Sequence, residues 1–121
     1  YYICFMAKNY IQSFSHAFRG FVSFFSLEPN SFIHLAAAVA VAIVAWWNHI
    51  TPFEWLWLLA CISLVFITEM LNSAIEKLCD VVEPNQHPQI KIVKDISAAA
   101  VLLASIFSVV VGIIILGPYL L

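Results

Sequence analysis

Hydrophobic positions change period along this chain. From Phe5 to Ser26, Tyr10, Ile11, Phe14, Ala17, Phe18, Phe21, Val22 and Phe25 fall on one helical face. Lys8, Gln12, Ser15, His16, Arg19, Ser23 and Ser26 fall on the other. That alternation predicts an amphipathic helix over 5–26. An aromatic apolar side against a sparse basic side suits a helix lying in a membrane interface. Leu27-Glu-Pro-Asn30 then breaks the pattern, because Pro29 pushes Glu28 out of the helical region. Asn30 or Ser31 is expected to cap the next helix.

Beyond Ser31 the alternation gives way to continuous apolar runs. The first, rich in Ala and Val, predicts a short span over 31–48 with Trp46-Trp47 as its interfacial belt. Asn48-His-Ile-Thr-Pro52 reads as a tight turn. A second span over 53–81 carries another belt at Trp55 and Trp57. Val82–Pro88, punctuated by prolines, is the clear loop. A third span covers 95–116; Ala98-Ala-Ala100 is expected to permit close helix contact, and Gly117-Pro118 to end the helix. The fold expected is a single all-α membrane domain, an N-terminal amphipathic surface helix plus three transmembrane helices.

Composition agrees with that reading. The 121 residues are 64% hydrophobic and 10% charged, and the mean hydropathy of +0.98 is far from that of a soluble protein. A net charge of −2 lacks the basic field that nucleic-acid binding needs. Cys4, Cys61 and Cys79 form no C-x-x-C spacing, so neither a disulfide framework nor a zinc site is expected. The order of a basic region, a short apolar core and a cleavage site is not found at the start, so no signal peptide is expected. Since Tyr1 is not methionine, native residues ahead of it are allowed for.

Within the second span one segment departs from apolar design. At about 100° per residue, Glu69, Asn72, Ser73, Glu76 and Asp80 share a stripe roughly 100° wide. Met70, Leu71, Ala74, Ile75 and Leu78 lie outside it. A helix merely leaving the bilayer explains Asp80 and tolerates Glu76, but not Glu69, which follows Val65-Phe-Ile67. Ionisable groups at membrane depth face a bundle interior or wet cavity and are functional candidates. Lys8 and Arg19 precede the first span, and Lys77, Lys91 and Lys94 flank the second loop. The positive-inside rule therefore places the N-terminus and the 82–88 loop in the cytoplasm. Glu69 then lies about 24 Å inward from Phe53, and Asp80 about 16 Å further along.

Glu28, His87, Lys91, Lys94 and Asp95 gather at the same boundary. Carboxylates there are hard-oxygen ligands suited to Mg²⁺, which takes one or two of them beside phosphate oxygens, and a lysine suits phosphate charge. With glycine only at 20, 112 and 117, a glycine-rich phosphate cradle is excluded, so side chains would have to hold any nucleotide. His16, His34 and His49 read as headgroup, helix-end and turn residues. Glu54 reads as a helix N-terminal charge, and Phe24, Phe25 and Trp46 as packing or interface anchors.

Glu69-x-x-Asn72-Ser-Ala-Ile-Glu76-x-x-x-Asp80, then His87-Pro88, Lys91 and Lys94-Asp95 with Ala98-Ala-Ala-Val-Leu102, resembles the small prokaryotic diacylglycerol kinase and undecaprenol kinase family. Ser13-Phe14-x-x-Ala17-x-x-Gly20 and Glu28-x-Asn30-x-x-Ile33-His34 extend the likeness over nearly the whole chain. The resemblance implies a multi-pass enzyme of the bacterial inner membrane, active as a homotrimer with sites shared between neighbours. It would move the γ-phosphate of Mg·ATP onto a lipid hydroxyl. It implies Glu69 as general base, and Glu28 and Glu76 as ligands of Mg²⁺ and ATP. Asn72 and Asp80 would support that site, while Asn85, Gln86, His87, Lys94 and Asp95 would bind nucleotide. Gln89, Ile90 and Ile92 depart from the family pattern, and Pro29 stiffens the Glu28 hinge. The Glu28-x-Asn30-x-x-Ile33-His34 and His87-Pro88 patterns are more similar to the undecaprenol branch. The rival expectation is a non-enzymatic helical oligomer, such as an ion-conducting subunit, with Glu69 as its ionisable site.

Overall fold

The computed structural model of the protein describes residues 2–121, with the side chains of residues 2 and 5 set aside. Phe5, where the surface helix is expected to begin, is therefore described in its backbone only. Four helices follow in order: α1 Tyr2–Leu27, α2 Asn30–Trp47, α3 Pro52–Val82 and α4 Pro88–Leu120. No strand occurs among the described residues. Three of the helices, α2, α3 and α4, are long and apolar enough to cross a membrane. The protein is an all-α, multi-pass membrane protein. At 1.5 Å per residue α3 and α4 are each about 46–50 Å long, so both overrun a hydrocarbon core of about 30 Å.

The chain groups into two units, Tyr1–Ala36 and Ala37–Leu121. In the first, the break after α1 forms as Pro29 dictates. The Glu28 N–H still reaches the Phe24 carbonyl at 3.0 Å, closing the last turn of α1. The Glu28 carbonyl then accepts the Ser31 N–H at 3.0 Å and the Ser31 hydroxyl at 2.6 Å. Ser31 thus binds back to the chain before it instead of capping α2 forward, which corrects the expected role. Its short side chain is buried, and donating to the nearest spare carbonyl satisfies it there. Phe24 is buried and packs edge-on to Phe25 at 5.3 Å between ring centroids; Phe25 meets Phe32 at 5.6 Å. An open apolar hollow of about 490 Å³ is lined by Phe18, Phe21, Val22, Phe25, Ser26 and Phe32.

The second unit is built on the pairing of α3 with α4. On α4 the buried positions Ser97, Ala104 and Ile115, with half-buried Lys94, Val101 and Val111 and the interhelical donor Ser108, recur at alternating steps of three and four. That is the spacing of a helix packed along one seam. Leu58, Cys61 and Cys79 are the buried positions of α3. Small residues here let the backbones approach, and the Ser108 hydroxyl donates to the Cys61 carbonyl at 3.3 Å. The seam passes through Ser97 and Ala104 and leaves Ala98, Ala99 and Ala100 exposed. Within the chain the alanine run therefore lies off the α3–α4 seam, because the three-four register turns it outward.

At one end of the seam Ala45, Ile50, Leu58 and Ile115 form a core flanked by Val41, Trp55, Val111 and Leu116. His49 makes the tight turn with a positive φ of 54°, and the Asn48 amide donates to the Val44 carbonyl at 2.8 Å. Thr51 and Glu54 form a reciprocal capping box on α3, with Pro52 in its first turn. The Tyr119 hydroxyl donates to Glu54 Oε1 at 2.6 Å, tying the last turn of α4 to the first of α3. Helix α4 runs through Pro118 to Leu120 and does not stop at Gly117-Pro118. So near a terminus the missing N–H removes a single bond, and the Leu121 N–H still reaches the Gly117 carbonyl at 2.9 Å.

Glu54→Ala removes half of the capping box and the acceptor of Tyr119. Thermal unfolding in detergent is expected to show a lowered midpoint. Tyr119→Phe should lower it by less, since it removes the cross-helix bond and leaves the capping box intact. An unchanged midpoint in both variants would show that this end of the seam adds no stability.

Candidate active site at the polar end of the seam

The polar stripe of α3 lies on the side that meets α4. Counting at about 100° per residue, Glu69, Asn72 and Glu76 share the angular sector of Leu58, Cys61, Cys79 and Asp80. Burial agrees: Glu69, Asn72, Ser73 and Glu76 are half-buried, whereas Leu71, Ala74 and Leu78 on the opposite side are exposed. Neighbouring Thr68 donates its hydroxyl to the Leu64 and Val65 carbonyls at 2.9 Å each. That bonding turns a polar residue just before Glu69 inward on its own helix. The sequence pattern did not single out Thr68, although a hydroxyl inside an apolar run was its available signal.

Asn72 Oδ1 is buried and has no hydrogen-bond partner in the chain. A bare amide oxygen at such a place awaits a donor or a cation. Glu76, one turn further, is its surface neighbour at the i,i+4 spacing. Toward the loop the stripe ends at Asp80, whose Oδ1 lies 2.7 Å from Lys94 Nζ on α4. Lys91 is paired within its own helix with Asp95, Nζ to Oδ2 at 2.7 Å. Lys94 and Asp95, adjacent in sequence, are therefore engaged in different directions: Lys94 across the seam, Asp95 along α4.

The loop between the helices is held at both ends. The Glu83 N–H closes α3 onto the Cys79 carbonyl at 2.9 Å, and Glu83 Oε1 accepts the Asn85 N–H at 3.2 Å. His87 is the N-cap of α4, its Nδ1 accepting the Gln89 N–H at 3.2 Å, with Pro88 in the first turn. In the neutral ring the proton is then on Nε2, which points a donor away from the helix. Asn85, Gln86 and His87 are all exposed. Glu83, which the sequence reading passed over, is what folds Asn85 back. Glu28 is half-buried in the break of the first unit. His16 and His49 are exposed, and Glu54 caps α3 at the end remote from Asp80, the plain role expected of it.

Among the described residues no three histidine, cysteine or carboxylate side chains gather as a metal cluster. A hard cation such as Mg²⁺ keeps water and phosphate oxygens and needs only one or two carboxylates. Glu76 and the unpartnered Asn72 oxygen are oxygen donors of the right kind.

Residues 15–116 match the family described as prokaryotic diacylglycerol kinase. The chain belongs to that family. It is 35% identical over 113 residues to the undecaprenol kinase of Bacillus subtilis (strain 168), covering 93% of this chain and 92% of that protein. It is 38% identical over 117 residues to a diacylglycerol kinase of Synechocystis, covering 96% and 67%. To the diacylglycerol kinase of Escherichia coli (strain K12) it is 34% identical over 83 residues, covering 69% and 68%. Family membership makes this membrane protein a lipid kinase, and the non-enzymatic oligomer has no comparable support.

The His87 cap separates structure from ligand contact. His87→Ala should fray the first turn of α4 at a cost of about 1 kcal/mol, seen as faster hydrogen exchange at the Gln89 and Ile90 amides. His87→Asn keeps a capping acceptor and should restore slow exchange. Equal exchange in all three proteins would show that the cap contributes nothing.

Proposed function

We propose that this kinase transfers the γ-phosphate of Mg·ATP to the hydroxyl of a membrane lipid, with undecaprenol the favoured acceptor. The observation that carries this reading is one continuous line of polar groups along the α3–α4 seam. It starts at half-buried Glu69, passes Asn72 and Glu76, and ends at the exposed Asp80–Lys94 pair. One end of that line sits where a lipid hydroxyl can reach, the other where a soluble nucleotide can. From Glu69 to Asp80 the helix advances about 16 Å, the scale on which lipid and aqueous reagents must be brought together.

Each residue then has a physical task. Glu69 accepts the proton of the lipid alcohol, a weak nucleophile that gains from a positioned base. Lys94, carrying a compact charge with three donors, contacts phosphate oxygens. Glu76 and Glu28 are each proposed as carboxylate ligands of Mg²⁺, and the buried Asn72 amide oxygen, one turn from Glu76, is a further oxygen donor. When bound, the cation supplies charge neutralisation on the phosphate oxygens. Asn85, Gln86 and His87 offer exposed polar groups to the nucleotide, and Asp95 a carboxylate. The basic residues around the 82–88 loop favour a cytoplasmic orientation for this end, and the bacterial inner membrane is the membrane proposed.

We read the working form as a homotrimer with sites shared between subunits. One seam shelters one side of Glu69 and Glu76, and a second subunit would close the other against lipid. Undecaprenol is favoured over diacylglycerol because the Bacillus subtilis relative that bears its name matches nearly end to end.

The test is phosphate transfer from labelled ATP by the purified protein, given undecaprenol or diacylglycerol in one detergent. Undecaprenol should give the several-fold higher kcat/KM; higher efficiency on diacylglycerol would reassign the acceptor. In the same assay Glu69→Gln should lower kcat by about 10²–10⁴-fold while ATP affinity holds. Lost affinity with turnover intact at saturation would move Glu69 to the nucleotide site.

A further inference from the structure

The Asp80–Lys94 pair does something that pinning two helices together does not explain. Lys94 is 38% and Asp80 67% exposed at the side chain, and an ion pair that wet adds little stability. Yet it joins groups 14 residues apart on different helices at 2.7 Å, at the very mouth of the seam. Lys91, the neighbouring cation on α4, is also taken, by Asp95. A phosphate arriving at this end therefore meets lysines already neutralised by carboxylates. Glu76, one turn up from Asp80 on the same face, adds a further negative charge.

The Lys94 ammonium has three N–H donors and Asp80 occupies one of them. Phosphate oxygens can use the other two without breaking the pair. They then sit about 5 Å from the Asp80 carboxylate, within range of like-charge repulsion that low ionic strength leaves largely unscreened. A free polyphosphate carries its whole charge into that field. A polyphosphate already complexed to a divalent cation carries two fewer negative charges and is repelled far less.

We propose that Asp80 is a positioning and selectivity residue. By pairing with Lys94 it holds the ammonium at the seam and reserves it for phosphate that arrives with a divalent cation. The inference rests on the nucleotide reading of Lys94 given above and adds to it a rule for what is admitted. Asp80 touches no reacting atom; it acts through Lys94.

The experiment is calorimetric binding of ATP without any lipid acceptor, at low ionic strength, once with excess EDTA and once with Mg²⁺. Asp80→Asn should raise the affinity for metal-free ATP on the order of tenfold, and change that for Mg·ATP by much less. The preference of the protein for the metal complex should shrink accordingly. In the Lys94→Met background the same substitution should yield a clearly smaller gain. Should the asparagine variant prove poorly folded, Asp80→Ser also drops the charge and gives the same reading. A purely structural bridge would weaken both affinities when broken, so an unchanged or reduced metal-free affinity overturns the proposal. So does an equal gain with and without Lys94, which would mark a general surface-charge effect. If the parent protein binds no Mg·ATP at all, the nucleotide reading itself fails; if it binds and only the Asp80 effect is missing, this inference alone fails.

Discussion

A carboxylate cannot lie against hydrocarbon, and a helix that carries several of them through lipid depth has to turn them onto another helix or into water. The pairing of α3 with α4 meets that constraint. Small side chains at Cys61, Ser97, Ala104 and Ser108 let the two helices close on each other. The polar stripe of α3 is rolled toward that seam, and Leu71, Ala74 and Leu78 are turned out. Without the seam the protein would face lipid with Glu69 and Glu76. With it, the same helix turns Leu71, Ala74 and Leu78 outward and half-buries Glu69, Asn72 and Glu76.

The two ends of the seam are built differently for the same physical reason. At one, apolar packing around Leu58 and Ile115, a capping box and the Glu54–Tyr119 bond fix the helices in register. At the other, the contacts are ion pairs and caps exposed to water, which open at little cost. A fixed end and an openable end on one pair of helices leave mobility where a soluble ligand would have to come and go.

Much of this was legible in the residues. The change from an alternating pattern to continuous apolar runs separates α1 from the three long apolar helices, and Glu69, Asn72 and Glu76 of the stripe are half-buried on α3. Proline and turn chemistry placed the breaks at Pro29 and Pro52. What stayed hidden depends on partners far apart in sequence. Lys94 finds Asp80 rather than its neighbour Asp95, and Tyr119 finds Glu54, because those choices are made by the packing register of α3 on α4. The position of the alanine run was hidden for the same reason: the register of α4 on α3 turns 98–100 away from this seam. Ser31 misled because a hydroxyl at a helix start can donate backward as readily as accept forward. The Pro118 stop failed because a proline in the final turns removes only one bond.

We propose that nucleotide binds at the end of the seam that carries Asp80 and Lys94, with the lipid hydroxyl further along the same polar line toward Glu69. Paramagnetic broadening by a bound Mn²⁺·nucleotide, read residue by residue in membrane-reconstituted protein, tests that claim most directly. The strongest broadening is expected at residues 72–80 and 91–95, fading along α3, with none around Thr51, Glu54 and Tyr119. Broadening centred on the Thr51–Tyr119 end, or spread evenly along the helices, would contradict it.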